Sequence, residues 1–431
     1  MLSALRIRNF KCLQDTGRLE IRPLTFLVGP NSSGKSSILD MLRLLRQTAL
    51  SADWKSPLAT SGPWIELGSY PDFVFRHQAQ RRLEVEAEWG AEGERPGPTH
   101  FRAVFEYQSE ATQILLSESG FEIEGVFKWT GRRLPGNGLT IEMRYIKNGR
   151  EEVKQFTSAE PVKFSWLVAD PQERARAIQL FEEIGPVTTD GFVLSCLQRV
   201  EHLGPLRVRP RRSYPVSGQA PGSVGADGER TFDVLWAAHL SPEGRNREVF
   251  DAAGRWLKRL DIAAEFWLDP LGNSSLYRVM VTDPAVEIDV NFADIGFGAS
   301  QVLPVVVQSL SAEPGSTILI EQPEIHLHPR AQSELGDLFI EAAQGNDRTF
   351  IIETHSEHIL ARICRRIAEG KPEWLTKDKV AIYYFKPTPG GTQIQEVTLN
   401  EKGQYVDFPP GFFEEDVEEA FEHLKAMSKR S

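Results

Sequence analysis

The chain has 431 residues, 41% hydrophobic and 25% charged, with a net charge of −11, which suits a folded chain of two or three domains and excludes a disordered one. An acidic field repels nucleic acid, so DNA contact needs a local basic patch. The scattered Cys12, Cys196 and Cys364 exclude a disulfide framework, and the early charges and the lack of a ~20-residue apolar run exclude a signal peptide or a membrane span, so the expectation is a cytoplasmic protein with no membrane partner.

Period-2 alternation in Leu5-Arg6-Ile7-Arg8-Asn9-Phe10 and Leu19-Glu20-Ile21 predicts strands. Leu24-Thr25-Phe26-Leu27-Val28 has no polar face and suits a buried parallel strand. A Gly/Ser loop follows, then helical spacing over 37–45, then a Pro/Gly/Ser-rich loop over 52–70. Residues 83–166 read as β-rich, punctuated by Pro/Gly stretches at 93–98 and 131–138. Residues 171–203 read as helical, 204–230 as basic and irregular, 231–260 as helical again and 277–291 as strands. Ile318-Leu319-Ile320 and Phe350-Ile351-Ile352 are short buried strands, followed by helices over 330–343 and 356–367. This alternation argues for an α/β fold with a parallel sheet flanked by helices, and no heptad pattern persists long enough for coiled-coil arms.

Gly29-Pro30-Asn31-Ser32-Ser33-Gly34-Lys35-Ser36 has the form of a phosphate-binding loop, with a buried strand before it and a helix after it. Gly29 and Gly34 permit the tight turn that aims N–H groups, with those of Asn31, Ser32, Ser33 and Ser37, at phosphates. Lys35 reaches the β/γ-phosphates and the Ser36 hydroxyl ligates Mg²⁺, so ATP and Mg²⁺ are the expected cofactors. Ile318-Leu319-Ile320-Glu321 is an apolar strand ending in a carboxylate that can hold Mg²⁺ directly or through water. His326 and His328 lie at i, i+2 like a metal pair, but only Glu321 and Glu324 stand near as carboxylates. His355 closes the next buried strand, where it can reach a γ-phosphate or its attacking water.

Together these residues resemble the SMC/RecF-like branch of the ABC-class AAA ATPases, and especially the OLD-like ATPases. The opening Leu5–Lys11 segment is similar to that class's first strand, Val28 through Ser37 to its Walker A, and Asp294 through Pro304 to its signature segment. Glu321 through Pro329 is similar to its Walker B with D-loop, and Thr354-His355-Ser356 to its switch histidine. The resemblance covers roughly 1–80 and 285–370. It implies an ABC-type head with a mixed sheet, assembled from residues 1–90 and 285–375, interrupted by an α+β insertion over 91–284, and followed by a small C-terminal domain over 376–431. It also implies a homodimer or higher even oligomer in which two heads sandwich two ATPs, with Gly298, Ser300 and Gln301 reaching the partner's γ-phosphate. In that class two acidic residues commonly end the Walker B strand; here the pair is Glu321-Gln322. A glutamine amide can orient water but cannot accept its proton, which implies slow hydrolysis, and Glu324 is the nearest carboxylate to stand in as base. No convincing Q-loop glutamine is present, although the stretch 68–72 occupies its place, and no acidic clusters of a TOPRIM nuclease follow. Some relatives serve in anti-phage defence beside a nuclease or toxin, which makes such an effector the expected partner; a RecF-like DNA-engaging ATPase is the alternative.

Arg207, Arg209, Arg211 and Arg212 fall within six residues. Three readings stand: a DNA-binding patch, an arginine that reaches the nucleotide or the signature segment, or an ion-paired surface loop.

Overall fold

A computed structural model describes residues 1–53, 56–90, 99–124, 127–133, 139–147, 150–158, 189–218, 220–241, 245–345, 348–407 and 409. The N-terminal part gives β1 (Leu2–Phe10), β2 (Leu13–Asp15), β3 (Leu19–Glu20) and β4 (Leu24–Val28), then α1 (Lys35–Leu50) and α2 (Tyr70–Phe73). Six antiparallel strands follow: β5 (Leu83–Trp89), β6 (Thr99–Gln108), β7 (Gln113–Ile123), β8 (Phe127–Arg133), β9 (Leu139–Lys147) and β10 (Arg150–Ser158). The middle holds α3 (Thr189–Gln198), β11 (Val200–Leu203), β12 (Tyr214–Pro215), α4 (Thr231–Leu240), α5 (Arg245–Arg259), β13 (Glu265–Pro270), β14 (Leu276–Thr282) and β15 (Asp289–Asn291). The last part supplies α6 (Phe297–Ser311), β16 (Thr317–Glu321), α7 (Pro329–Ala343), β17 (Thr349–Glu353), α8 (Glu357–Glu369), β18 (Val380–Thr388) and β19 (Gly391–Glu396).

The strands form three sheets. One runs β10-β9-β8-β7-β6-β5-β1-β2 with β3 beside β1, all antiparallel. The central sheet runs β11-β16-β17-β4-β18-β19 and is parallel except for the β18–β19 hairpin. The third is small and antiparallel, β12-β14-β13 with β15 beside β14. Leu27, Leu319, Ile351, Tyr383 and Phe385 of the central sheet pack toward the large antiparallel sheet and α1. Phe26, Val28, Ile318, Ile320, Phe350, Ile352, Ile382 and Tyr384 pack toward the later helices. Both faces are covered, which is why these strands read as continuous apolar runs. α1 lies between the two sheets with 12 of its 16 residues buried.

These memberships correct several boundaries. The break expected at 90/91 does not separate two sheets, because β5 hydrogen-bonds both β1 and β6 in one continuous ladder. β11, from the expected insertion, is the edge strand of the central sheet beside β16, and it replaces the helical end expected for 171–203. The expected C-terminal domain begins inside the head: β18 pairs with β4 from Val380↔Leu24 to Tyr384↔Val28. Residues 159–188 and 410–431 lie outside the described residues, as do the stretches 93–98 and 134–138. The stretch expected near the Q-loop is α2, capped by reciprocal bonds between Ser69 and Asp72.

α7 and α8 are tied by one buried carboxylate. Asp337, with a side chain 6% exposed, accepts from Arg366 at 2.7 and 2.8 Å, from Arg362, and from Arg259 at 3.4 Å. Burial works to raise its pKa, but the bonds from Arg366 and Arg362 hold it below the ordinary value. Asp337→Asn is expected to cost about 2–3 kcal/mol, below the full figure for breaking a buried ion pair because the arginines keep some solvent. A depressed folded pKa contributes stability above the unfolded value of about 3.9 and loses it as pH falls through the folded value. Thermal unfolding midpoints of wild type and variant should therefore differ at pH 7 and converge as pH falls below about 4. Parallel pH curves would refute this assignment.

Candidate functional site

The site forms at the C-terminal ends of β4, β17 and β16, where helices begin and backbone groups are free to meet a ligand. β4 leads into the loop 29–34 and that loop into α1. Gly29, Ser32 and Gly34 have φ of 136°, 59° and 100°. A Cβ on Gly29 would stand 2.4 Å from the Phe385 carbonyl oxygen, and one on Gly34 would stand 2.4 Å from Cys12 Sγ, so both must be glycine. The β18–β19 hairpin buttresses the loop, because Thr392 Oγ1 donates to the Ser33 carbonyl at 2.7 Å. Asn31 and Ser32 are exposed, while Ser33 and Ser37 are buried.

Lys35 is 2% exposed. Its ammonium donates to the carbonyls of Gly29 at 3.0 Å and Pro30 at 2.8 Å and lies 3.8 Å from Glu353 Oε1. Burial lowers its pKa, opposed by Glu353 and Glu324. Ser36 Oγ donates to Glu353 Oε2 at 2.7 Å. Burial pushes the Glu353 carboxyl above its ordinary value, while Ser36 and Lys35 pull it back.

Glu353 is the residue that sequence reasoning passed over. The order β16-β17-β4 puts β17, not β16, next to the phosphate-loop strand, so the carboxylate that meets Ser36 comes from β17. The signal was present: Phe350-Ile351-Ile352-Glu353 has the same apolar-strand-plus-carboxylate form as 318–321. Glu321 is its register partner one strand farther out. The Glu321 carboxylate accepts instead from His202 Nε2 of β11 at 2.7 Å. Burial lowers the His202 pKa more than Glu321 raises it, so a neutral ring donates its Nε2 proton to the carboxylate. His202, too, was missed, because β11 lay in a stretch read as helical.

Past β16 the chain turns sharply. Gln322 adopts φ of 44°, and its N–H donates to the Glu353 carbonyl at 2.7 Å. Glu324 is buried; one of its oxygens accepts from the His355 N–H at 2.7 Å, and the other is buried without a hydrogen bond. Burial raises its pKa. His355 has an exposed ring whose pKa is lowered by partial desolvation and by Lys35. Of the histidine pair, His326 rests edge-to-face on Phe297 at 4.8 Å, and Nδ1 of His328 accepts from Arg330 N–H at the start of α7.

The signature segment opens α6. Gly298 is packed so closely that a Cβ would stand 2.5 Å from the His326 carbonyl oxygen. Ser300 is 6% exposed and its hydroxyl donates to the Phe297 carbonyl at 2.6 Å; Gln301 is 1% exposed and bonds the backbone of Arg207. The expected phosphate-facing pair is thus turned inward, and the exposed residue at this helix start is Phe297, at 45%.

The basic segment is mostly committed. Arg207 is 5% exposed, with burial lowering its pKa to about 10, and it donates to the Glu321 carbonyl at 2.7 Å. Arg209 lies over the Phe297 ring at 5.6 Å, and Arg212 pairs with both oxygens of Asp294 at 2.6 and 3.0 Å. This corrects the expectation that all four arginines could meet DNA: the buried Arg207 cannot, whereas Arg209 and Arg212 are exposed and touch the signature segment from the surface. Arg211 is exposed.

The residues fit ATP with Mg²⁺. The loop places the buried, unpartnered Ser33 Oγ and the Lys35 ammonium around a concave backbone at a helix N-terminus. Ser36 and Glu353 offer oxygen donors of the kind a hard cation prefers, with Glu321 one strand farther out. Among the described residues no group of three or more His, Cys, Asp or Glu is arranged to hold a metal alone, and no helix is long and apolar enough to cross a membrane.

The OLD nuclease of Thermus scotoductus is 23% identical over 400 residues, covering 90% of this chain and 64% of that protein, so the chain spans less than two thirds of its relative. Among solved structures, the SMC head domain from Thermotoga maritima overlays with a TM-score of 0.41 at 12% identity, covering 92% of this chain and 99% of that one. An Smc head with an extended coiled coil bound to the C-terminal domain of ScpA, derived from Pyrococcus furiosus, gives 0.41 at 11%, covering 99% of each. The family model described as AAA ATPase domain matches residues 1–113 and 244–360, more than half of the chain. By that match the chain belongs to the AAA ATPase domain family.

Proposed function

We propose that the chain binds ATP with Mg²⁺ at residues 29–37, pairs with a second copy around the nucleotides, and hydrolyses ATP slowly, as a switch that holds or releases an effector protein. The cluster of Lys35, Ser36 and Glu353 carries this reading, since it unites a phosphate-facing cation with a hydroxyl and a carboxylate at one helix start. Ser36 and Glu353 would hold Mg²⁺, which when bound would supply neutralisation of the negative charge on the phosphates. Lys35 would exchange its loop carbonyls for phosphate oxygens. Gln322 and His355 would orient the attacking water, and Glu324, fastened to the His355 N–H, would hold that histidine in place. Ser36 and Glu321 remain the metal-side candidates, with Glu353 added. An effector nuclease or toxin in anti-phage defence is the partner the family resemblance favours. Gly298, Ser300 and Gln301 would serve the partner's nucleotide through the backbone of the helix start, since the Ser300 and Gln301 side chains face inward.

The test is ATP-dependent self-association in sedimentation velocity, with Phe297→Glu as the probe. Phe297 is exposed at the first turn of α6, where a carboxylate favours the helix, so the variant should fold. It should bind ATP as wild type does and fail to pair; mixed with Lys35→Ala, it should regain part of its ATPase activity, since one composite site stays whole. A wild-type chain that stays monomeric with ATP and Mg²⁺ would refute the pairing.

A further inference from the structure

Arg207 stands between the end of β16 and the signature helix. Its guanidinium donates from Nη2 to the Glu321 carbonyl at 2.7 Å and from Nη1 to the Gln322 carbonyl at 3.5 Å. Its backbone is gripped by one side chain of α6: the Arg207 N–H donates to Gln301 Oε1 at 3.3 Å, and Gln301 Nε2 donates to the Arg207 carbonyl at 3.3 Å. Gln301 is 1% exposed and Arg207 5%, so water does not compete for these bonds. A second junction lies beside the first, where Gly298 and Phe297 of α6 pack on His326 of the loop that leaves β16.

Burying a guanidinium is costly, and an apolar residue of similar volume would often serve packing as well. What arginine adds is a rigid fork of donors that spans neighbouring carbonyls. Here those carbonyls belong to Glu321 and Gln322, the two residues closing the nucleotide-side end of β16.

We propose that Arg207 is a positioning residue that couples the end of β16 to the signature helix of the same chain. Nucleotide that orders Glu321 and Gln322 moves α6 through the Arg207–Gln301 bridge, and by linkage a partner that engages α6 reorders Glu321 and Gln322. In the paired form each α6 faces the other chain's nucleotide, so the bridge lets one ATP site report its occupancy to the other. This inference rests on the nucleotide site proposed at residues 29–37.

Hydrogen exchange on the full chain, with and without ATP and Mg²⁺, tests it. Arg207→Lys keeps the charge, but one ammonium cannot span two carbonyls as the fork does. In wild type, nucleotide should slow exchange in the first two turns of α6 by about 5-fold or more, the lower end of measured couplings between sites. In Arg207→Lys that response should vanish while calorimetry still records ATP binding. Gln301→Leu breaks the other half of the bridge and should lose the same response; if Arg207→Lys does not fold, as judged by thermal unfolding, Gln301→Leu carries the comparison. A wild-type α6 that ignores nucleotide, or one that responds equally in the folded variants, overturns the coupling. Failure of wild type to bind ATP at all would overturn the nucleotide site, and the coupling with it.

Discussion

Lys35→Ala is expected to weaken ATP binding by at least about 100-fold, the effect of losing about 3 kcal/mol from charge-assisted bonds to phosphate. The ammonium is buried, 2% exposed, and held in the loop by the carbonyls of Gly29 and Pro30, so it is already positioned for the phosphates. At the proposed site, binding ATP would exchange one set of oxygens for a more negative one without first ordering a mobile side chain. Removing the ammonium also leaves Glu353 without its nearest cation, and an unopposed buried carboxylate repels phosphate. Calorimetry with ATP and Mg²⁺ checks the prediction, beside a thermal unfolding curve to establish that the variant folds. Micromolar affinity retained by a folded Lys35→Ala would show that the phosphates lie elsewhere.

Glu353→Gln is expected to lower steady-state phosphate release by roughly 10–100-fold, the usual cost of removing a partner that orients a metal ligand. The glutamine keeps the shape and a hydrogen bond to Ser36 but removes the charge that faces both Ser36 and Lys35. Wild type itself should turn over well below the order of 10 s⁻¹ typical of enzymes, because Gln322 occupies the second place of the Glu321-Gln322 pair and the nearby Glu324 spends an oxygen on the His355 N–H. Phosphate release by wild type, Glu353→Gln and Gln322→Glu separates these roles. Gln322→Glu should turn over at least as fast as wild type. Wild-type activity unchanged by Glu353→Gln would return the metal role to Glu321 alone, and a wild-type rate near 10 s⁻¹ would remove the slow switch.

The phosphate loop was legible because its chemistry is local: eight consecutive residues set the turn, the cation and the hydroxyl. The buried strands of the central sheet were legible because burial on both faces writes a continuous apolar run. Val380-Ala381-Ile382-Tyr383-Tyr384-Phe385 is another such run, yet by sequence alone it opens the separate domain expected over 376–431. Its hydrogen bonds go to β4, more than 350 residues earlier, and no local pattern reports a partner at that distance. The inward turn of Ser300 and Gln301 escaped for a related reason. Which side of α6 meets the chain depends on the Arg207 segment and the 322–328 loop, and neither neighbours α6 in sequence.

The sequence by itself determined the α/β class, the loop that would hold phosphate, the carboxylates and histidine available at the strand ends, and the want of a second acidic residue after Glu321. Each follows from residue type and short-range spacing, which fix backbone freedom, charge and the period of burial. Tertiary structure alone decided that β17 lies between β16 and β4, which brings Glu353 rather than Glu321 onto Ser36. It also decided that β11 would carry His202 to Glu321, and that Arg207 would be buried between the end of β16 and α6 instead of facing solvent. Strand order and the burial of a charged side chain are set by what packs across the sheet, and the contacts of Arg207, His202 and Glu353 join segments 94 to 317 residues apart.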